Sequence, residues 1–244
     1  MAQAGLHSIV SLPLRKWSAK REWLMLGVVL GSMLPDADNL AVAVATITKS
    51  STQGLHRTFS HSLFMILAII LIGYLVSQAT KQSRWNNLGL GLGLGIFLHS
   101  LLDIFLWFDG VAILWPIPTW LNIWTKVTPP AWWTNLMQPA ELLFFALFFI
   151  NLYSLAQKQA SDQGFLKKLR IWIALEAFLF VVFLVLAFTL SKGFLAIFGA
   201  VYLLSLGLAV WISIRMHSTI ERRYERVTSK FNWRKCNKNS WFSH

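Results

Sequence analysis

The chain has 244 residues, of which 56% are hydrophobic and only 13% are charged, and its formal net charge is +12. A soluble domain is typically about 25% charged, so this composition excludes an ordinary soluble enzyme and predicts an integral membrane protein. Disordered chains are polar, so the composition excludes disorder as well.

Six apolar segments, taken in chain order, predict an all-α, polytopic bundle of about six membrane-spanning helices, because about 20 apolar residues cross the hydrocarbon core. The first segment, Trp23–Ile47, is interrupted by Pro35-Asp36-Ala37-Asp38-Asn39. Since proline followed by two acids ends an ordinary helix, we expect either one span broken at Pro35 or two half-helices. The remaining predicted spans are Ser62–Ala79, Asn86–Phe108, Leu142–Ala156 with its Gln138–Glu141 lead-in, Ile171–Leu190 and Gly193–Ile214.

Glycine alternates with leucine from Gly89 to Gly95, inside the predicted span Asn86–Phe108. Small residues let helix backbones approach closely, so we interpret this run as a packing surface. A phosphate-binding loop is the less favoured interpretation, because no lysine follows the run in the required position.

The basic residues indicate the orientation of the bundle. They gather in residues 15–21, in the loops at 81–84 and 158–170, and in the tail at 215–238, and such segments are typically cytoplasmic. We therefore predict an inner (plasma) membrane protein with a cytoplasmic C-terminus and with external loops around 48–61, 109–135 and 191–192. We expect the basic tail to lie against anionic lipid and expect no nucleic-acid partner.

Several acids and histidines lie in or beside the apolar segments, where an ionisable group costs about 2.5–3.5 kcal/mol on insertion scales. A cluster of such groups indicates a shared partner that offsets this cost. A divalent metal is one such partner, because carboxylate and imidazole are common metal ligands. The residues concerned are His7, Asp36, Asp38, His56, His61, His99, Asp103, Asp109, Glu141 and Glu176.

Two of these groups have informative spacing. His99 and Asp103 are four residues apart and therefore share one face of a helix. They are either metal ligands, a ligand and the carboxylate that orients it, or a hydrogen-bonded pair between helices. Asp36 and Asp38 are two residues apart, so in an extended turn both carboxylates would face the same way and need a cation or a proton between them.

The segment His56-Arg57-Thr58-Phe59-Ser60-His61-Ser62 directly precedes a predicted span. Five residues separate its two imidazoles, which would place them on different faces of a helix, so we expect a loop that leads into the helix. Ser60 is the expected N-cap of that helix. Arg57 is either a charge at the membrane edge or a guanidinium that binds an anionic substrate.

On the predicted topology, three of these elements converge at the external end of the bundle. They are the His56–His61 segment, the His99/Asp103 pair and Glu141, near the start of its span. His7 does not fit this arrangement easily, because the basic segment after it is expected inside. It joins the site only if residues 8–47 form a re-entrant hairpin or if the count of basic residues gives the wrong side for this segment.

With these residues identified, the sequence resembles the membrane-bound metal-dependent hydrolases, an inner-membrane family of bacteria and archaea that includes LexA-regulated members. The resemblance covers residues 7–116. It rests on five elements in order: His7, Leu34-Pro35-Asp36-Ala37-Asp38-Asn39, the 56–62 segment, His99-x-x-x-Asp103 and Leu114-Trp115-Pro116. Asn39 stands where the family has histidine, and Thr58 and Ser60 replace its glycine and threonine.

The resemblance implies hydrolysis that depends on a divalent metal, expected to be zinc. The family is itself similar to zinc-dependent phospholipases C and single-strand nucleases, which implies phosphoester chemistry. Those enzymes hold three zincs, but residues 7–116, which carry the resemblance, contain no second His-x-x-x-acid motif, so we expect one or two ions.

The resulting hypothesis is a membrane-embedded, metal-dependent hydrolase that acts on a lipid or lipid-linked substrate at the external face. Its division of roles is as follows: His7, Asp36, His56, His61, His99 and Asp103 are the candidate ligands, Asp38 or Glu141 accepts a proton, and Arg57 stabilises an anionic oxygen. The alternatives are a proton or metal-ion transporter and a non-catalytic membrane scaffold with a structural metal. We divide the chain into a metal-site domain at 1–135, additional spanning helices at 136–214 and a basic tail at 215–244.

Overall fold

The structure, a computed structural model, describes residues 3–16, 21–190 and 193–221. These residues form helices joined by loops and contain no β-strand, so the prediction of an all-α fold is confirmed. Most of the predicted basic tail, and part of the basic segment 15–21, lie outside the described residues. The α-helices are α1 (Ala4–Ser11), α2 (Leu24–Gly31), α3 (Asn39–Ile47), α4 (Leu63–Thr80), α5 (Ser83–Leu106), α6 (Ala131–Gln159), α7 (Leu166–Thr189), α8 (Phe194–Arg215) and α9 (His217–Glu221).

Five helices, α4 to α8, are long and apolar enough to cross a membrane. A sixth span is formed if α2 and the segment Leu34–Ile47 count as one, with a bend of 45° between them. The predicted break in this segment is therefore present, although α2 already ends at Gly31, before Pro35.

The break itself differs from the expected extended turn. Residues Leu34–Asp38 form a 3₁₀-helix with Pro35 in its first turn. Proline is favoured there, because its missing N–H would have no helical partner and its fixed φ suits a helix. The expectation that Asp36 and Asp38 face the same way in an extended turn is therefore wrong, and their carboxylates bind different partners.

The glycine run packs α5 between two neighbours. Residues two apart on a helix point to nearly opposite sides, whereas residues four apart share a side. Accordingly, Gly91 and Gly95 lie against the backbone of α2, and Gly89 lies against Gly73 of α4. The packing interpretation is confirmed, and it places α5 within backbone contact of both helices.

The N-terminal segment, which carries His7, packs against α2 and the 3₁₀ turn at Asp36. The Gln3 backbone N–H donates to Asp36 Oδ2 at 2.9 Å, and the Ser32 hydroxyl donates to Ser11 Oγ at 3.3 Å. Gln3, just before α1, thus pairs with Asp36, whereas Ser11, at the end of α1, pairs with the earlier residue Ser32, so the two segments run antiparallel. This hairpin is the first of the two conditions under which His7 was expected to join the site.

Helix α6 begins at Ala131, eleven residues before the predicted span and inside the stretch expected to be an external loop. The helix starts directly after Pro129-Pro130, where proline needs no N–H partner. It packs against α1, and residues of α1, α2, α6, α7, α8 and α9 share one hydrophobic core. The predicted domain boundary at residue 135 falls inside this helix.

The opposite end of the bundle is held by two carboxylates. Asp162 Oδ2 accepts hydrogen bonds from the Ser218 hydroxyl and from the N–H and hydroxyl of Thr219, at the start of α9. Glu221, at the end of α9, accepts from the Leu26 N–H at 2.7 Å. Because the residue before α2 provides no side-chain cap, Glu221 satisfies one of its free N–H groups.

Candidate metal centre

Five of the candidate ligands are buried together where α1, the 3₁₀ turn at Asp36, the His61 turn and α5 meet. His61 and His99 are 0% exposed, and His7, Asp36 and Asp103 are each 1% exposed. His61 Nε2 lies 3.2 Å from His99 Nε2 and 3.5 Å from Asp103 Oδ2, so two of the three elements predicted to converge do meet, and Glu141, the third, is not among the ligand groups. His7 joins them, with its ring centroid 3.9 Å from that of His99.

The backbone of the α2–3₁₀ junction fixes the His99 ring. His99 Nδ1 lies 2.8 Å from the Ser32 carbonyl oxygen, and a carbonyl only accepts, so Nδ1 carries the proton. In the neutral ring, Nε2 then carries a lone pair, and it lies 3.2 Å from His61 Nε2. Such a hydrogen bond from the distal ring nitrogen is the usual way in which a metal-binding histidine is oriented.

Asp103 is the carboxylate that connects most of the buried groups. Its Oδ1 lies 3.1 Å from His7 Nε2. Its Oδ2 lies 3.0 Å from Arg57 Nε, 3.5 Å from His61 Nε2 and 3.8 Å from His99 Nε2. The four-residue spacing of His99 and Asp103 thus places both on the buried face of α5, as predicted.

Asp36 is held by the chain's N-terminal segment and turned towards His99. Its Oδ2 accepts from the Gln3 N–H, while Oδ1 has no hydrogen bond and lies 3.7 Å from His99 Nε2. A buried carboxylate oxygen without a donor is costly, so a cation is the natural partner at this position.

Asp38 belongs to a second, less buried group on the outer side of His61. Its Oδ1 lies 2.7 Å from His56 Nδ1, and its Oδ2 accepts from the Ser60 hydroxyl at 2.7 Å and from the Arg57 N–H at 3.1 Å. His61 Nδ1 lies 3.5 Å from the same oxygen. His56 is therefore separated from the His99 end of the cluster and approaches it only through Asp38 and His61.

The turn that carries these histidines is a loop leading into a helix, as predicted, but its cap is different. Ser62, not Ser60, is the N-cap of α4, and its hydroxyl oxygen accepts from the Met65 N–H at 3.1 Å. The expected cap is therefore wrong by two residues. The physical reason is that Phe59–His61 forms a 3₁₀ turn before α4, so the first free N–H groups come later in the chain.

Arg57 lies inside the protein and already has anionic partners. Its guanidinium is 2% exposed, and it pairs with Asp103 Oδ2 and with Asp109 Oδ2, the latter at 3.5 Å from Nη1. Its backbone has φ of +60°, a conformation stabilised here by the Asp38 carboxylate at its N–H and by the Ala112 N–H at its carbonyl. The side chain thus contacts a candidate ligand directly.

Glu141 is fully buried against the first turn of α1. Its Oε1 accepts from the Gly5 N–H at 2.6 Å, and its Oε2 has no hydrogen bond. It belongs to none of the ligand groups described below. The structure therefore joins it to the α1 turn that carries His7 and does not place it among the ligands.

Three groups of ligand atoms are close enough together to hold a divalent ion. They are His7/His99/Asp103, Asp36/His61/His99 and Asp38/His56/His61, each with its atoms within 4.8 Å of one another. The first two share His99, whose Nδ1 is already used, so both depend on Nε2 and cannot be filled independently. Mixed imidazole and carboxylate sets of this kind suit zinc.

Burial favours the ligand form of two of these histidines. It lowers the pKa of His61, and it likewise lowers the pKa of His7. Both rings are therefore neutral at pH 7, which is the state that binds metal.

Sequence reasoning missed several groups that organise the site. The Ser32 carbonyl and the Gln3 N–H act through the backbone, and a side-chain motif carries no signal for either. Tyr202 of α8 is buried with its hydroxyl unpartnered, and it lies beyond the residues that carry the family resemblance.

The sequence model of the family described as YdjM inner membrane protein matches residues 3–194. That range includes every candidate ligand and the helices α1 to α7. No curated protein and no solved structure matches the chain. The family description names a membrane and no reaction, metal or substrate. Because the match covers well over half of its length, the chain belongs to the YdjM inner membrane protein family.

Proposed function

We propose that this protein is a membrane-embedded, metal-dependent hydrolase whose substrate is a phosphoester in a lipid or lipid-linked molecule. The observation that carries the proposal is the buried junction of His61, His99 and Asp36. Two imidazole nitrogens lie 3.2 Å apart there, beside a carboxylate oxygen that has no hydrogen bond. In an apolar bundle, these groups are costly unless they share a cation.

The residues present fit one or two divalent ions. A single ion would be held by Asp36, His61 and His99. Two ions would be held by His7, His99 and Asp103 and, in the outer position, by Asp38, His56 and His61, because these two groups share no ligand. Zinc suits this donor set. A bound ion would act as a Lewis acid and would lower the pKa of a bound water to about 7.

The surrounding residues support distinct roles. When no outer ion is bound, Asp38 accepts from the Ser60 hydroxyl and the Arg57 N–H and lies 2.7 Å from His56 Nδ1, so it is suited to orient His56. Glu141 keeps one carboxylate oxygen without a donor and is buried beside the α1 turn that carries His7, so it stays, with Asp38, a candidate to accept a proton. Arg57 pairs with Asp103, so we assign it to holding that carboxylate in place, and any contact with an anionic substrate is secondary to this role.

The direct test is metal content. The wild-type protein, purified in detergent and reconstituted with zinc, is expected to retain stoichiometric metal by mass spectrometry. The double variant His99→Ala/Asp103→Ala is expected to lose it, because it removes ligands of both inner groups. His217→Ala is the matched control, since His217 is exposed at the opposite end of the bundle and is expected to leave metal content unchanged.

Metal-free wild type, or a double variant that keeps its metal, would overturn the proposal. A hydrolase is distinguished from a scaffold with a structural metal by turnover. The metal-loaded protein is expected to cleave a phospholipid or a soluble phosphodiester, and the double variant is not.

A further inference from the structure

A cavity of about 710 Å³ lies between α3 and α8, next to the metal centre. None of the described residues that line it carries a charge, and most are aliphatic. The walls include Leu40, Val44 and Ile47 of α3 and Leu195, Gly199 and Leu203 of α8. A volume between about 300 and 1,000 Å³ is typical of a pocket for one small ligand.

Both walls face outward from the bundle. Ile47 is 81% exposed and Leu195 is 67% exposed, and α8 is one of the helices suited to span the membrane. On the predicted topology, we expect this surface to face the bilayer. A ligand can therefore enter this cavity sideways from the membrane without crossing water.

Asn39 connects the cavity to the metal centre, and Gln138 and Tyr202 are further polar residues of its lining. Asn39 lines it and donates through Nδ2 to the Asp36 carbonyl at 2.9 Å and to Asp38 Oδ1 at 3.4 Å. Gln138 lies one helical turn before Glu141 on α6. Tyr202 is only 3% exposed, and its hydroxyl has no hydrogen-bond partner.

The unpartnered hydroxyl is the second, independent sign of a ligand. Buried hydroxyl groups almost always have a partner, and one that lines a cavity can donate to an oxygen of whatever fills it. A purely hydrocarbon ligand would leave Tyr202 unsatisfied. The lining therefore suits a molecule with a long apolar part and oxygen atoms at one end.

We infer that this cleft holds a hydrocarbon chain of the lipid substrate and that the phosphoester end lies at Asn39 and Tyr202, beside the metal centre. The inference rests on the proposed function, because it assigns the chain to the molecule that is hydrolysed. The bilayer interior is as apolar as the cleft, so moving a hydrocarbon chain from the bilayer into the cleft gains little free energy. The cleft selects by shape and aligns the scissile bond with Asp36 and Asp38.

Two glycines of α8 provide a matched test. A Cβ at Gly199 or at Gly207 would meet nothing within 4 Å, so both positions accept a side chain without displacing backbone. Gly199 lines the cleft and Gly207, two helical turns further, does not. Gly199→Phe therefore fills the cleft, and Gly207→Phe places the same side chain on the same helix outside it. Ala43→Phe fills the cleft from α3.

The probe is a phosphatidylethanolamine with a diazirine on one acyl chain. It is included at low fraction in vesicles of phosphatidylethanolamine and phosphatidylglycerol that contain the zinc-loaded protein. After irradiation, labelled peptides are mapped by mass spectrometry, and metal content is measured on the same samples. In the wild type we expect labelling of α3 and the facing side of α8 to exceed that of the exposed positions Leu67 and Leu71 on α4.

Gly199→Phe and Ala43→Phe are expected to lower the labelling of the cleft about tenfold, since overfilling a packed site costs about that factor. Gly207→Phe should label like the wild type, and all three should keep their metal. Equal labelling of cleft and α4, or unchanged labelling in both filled variants, would overturn the cleft proposal even in a metal-loaded protein. Cleft labelling in a protein that never binds metal would instead overturn the proposed function and with it the assignment of the chain to a substrate.

Discussion

Two serines on either side of His61 perform different tasks. The Ser60 hydroxyl donates to Asp38 Oδ2 and lies 2.9 Å from His61 Nδ1, so it connects two candidate ligands. The Ser62 hydroxyl begins α4 by accepting from the Met65 N–H. The first contact fixes the orientation of the imidazole, and the second stabilises a helix end.

Ser60→Ala is expected to weaken zinc binding by about 10–100-fold, because groups that orient a ligand typically contribute that much. Ser62→Ala is expected to destabilise the protein by about 1 kcal/mol through the lost cap and to leave zinc affinity near that of the wild type. The measurements are competition with a zinc-binding dye and thermal unfolding in detergent. If both variants changed affinity equally, Ser60 would have no special role at His61.

At the scale of helices, the geometry of the site depends on the approach of α5 to α2. Gly95 lies against the Val28 carbonyl and Gly31, and His99 follows one turn later beside the Ser32 carbonyl. A larger residue at the glycine would move α2 and with it the 3₁₀ turn that carries Asp36. The packing of α5 against α2 therefore also determines the positions of the ligands.

Gly95→Ala is expected to lower stability by about 1–3 kcal/mol, because the added Cβ would overlap the Val28 carbonyl oxygen. Zinc affinity should fall with it, since Ser32 would move away from His99. Gly207→Ala is the control, because its Cβ meets nothing within 4 Å and alanine favours a helix. Unfolding temperature and zinc titration test both variants, and a Gly95→Ala protein with unchanged zinc affinity would contradict this coupling.

These elements also explain what the sequence could and could not predict. The spacing of His99 and Asp103 and the glycine run are local patterns, so helix periodicity alone was sufficient to assign their faces. The inclusion of His7 depends on the antiparallel pairing of α1 with α2, which is a tertiary contact. Asp36 and Asp38 have separate partners because they lie in a 3₁₀ turn. In an extended turn, the same spacing would have directed both carboxylates to the same side, and the spacing alone does not distinguish the two turns.

At the scale of the whole molecule, charge divides the bundle into two ends. The segments expected outside, 48–62, 107–130 and 191–192, contain only four Lys or Arg residues, namely Lys49, Arg57, Lys126 and Lys192. The opposite end carries Lys81, Arg84, Lys158, Lys167, Lys168, Arg170 and Arg215. Since Lys and Arg are enriched on the cytoplasmic side, we predict that the metal centre opens towards the exterior.

The single cysteine provides a test of this orientation, because Cys236 lies in the C-terminal tail. In spheroplasts of an expressing bacterium, the wild-type protein should react with a membrane-impermeant maleimide only after permeabilisation. The variant Cys236→Ser/Gln53→Cys places the thiol in the exposed loop before His56, and it should react in intact spheroplasts. The reverse pattern would place the metal centre at the cytoplasmic face, so that only substrates from that side could reach it.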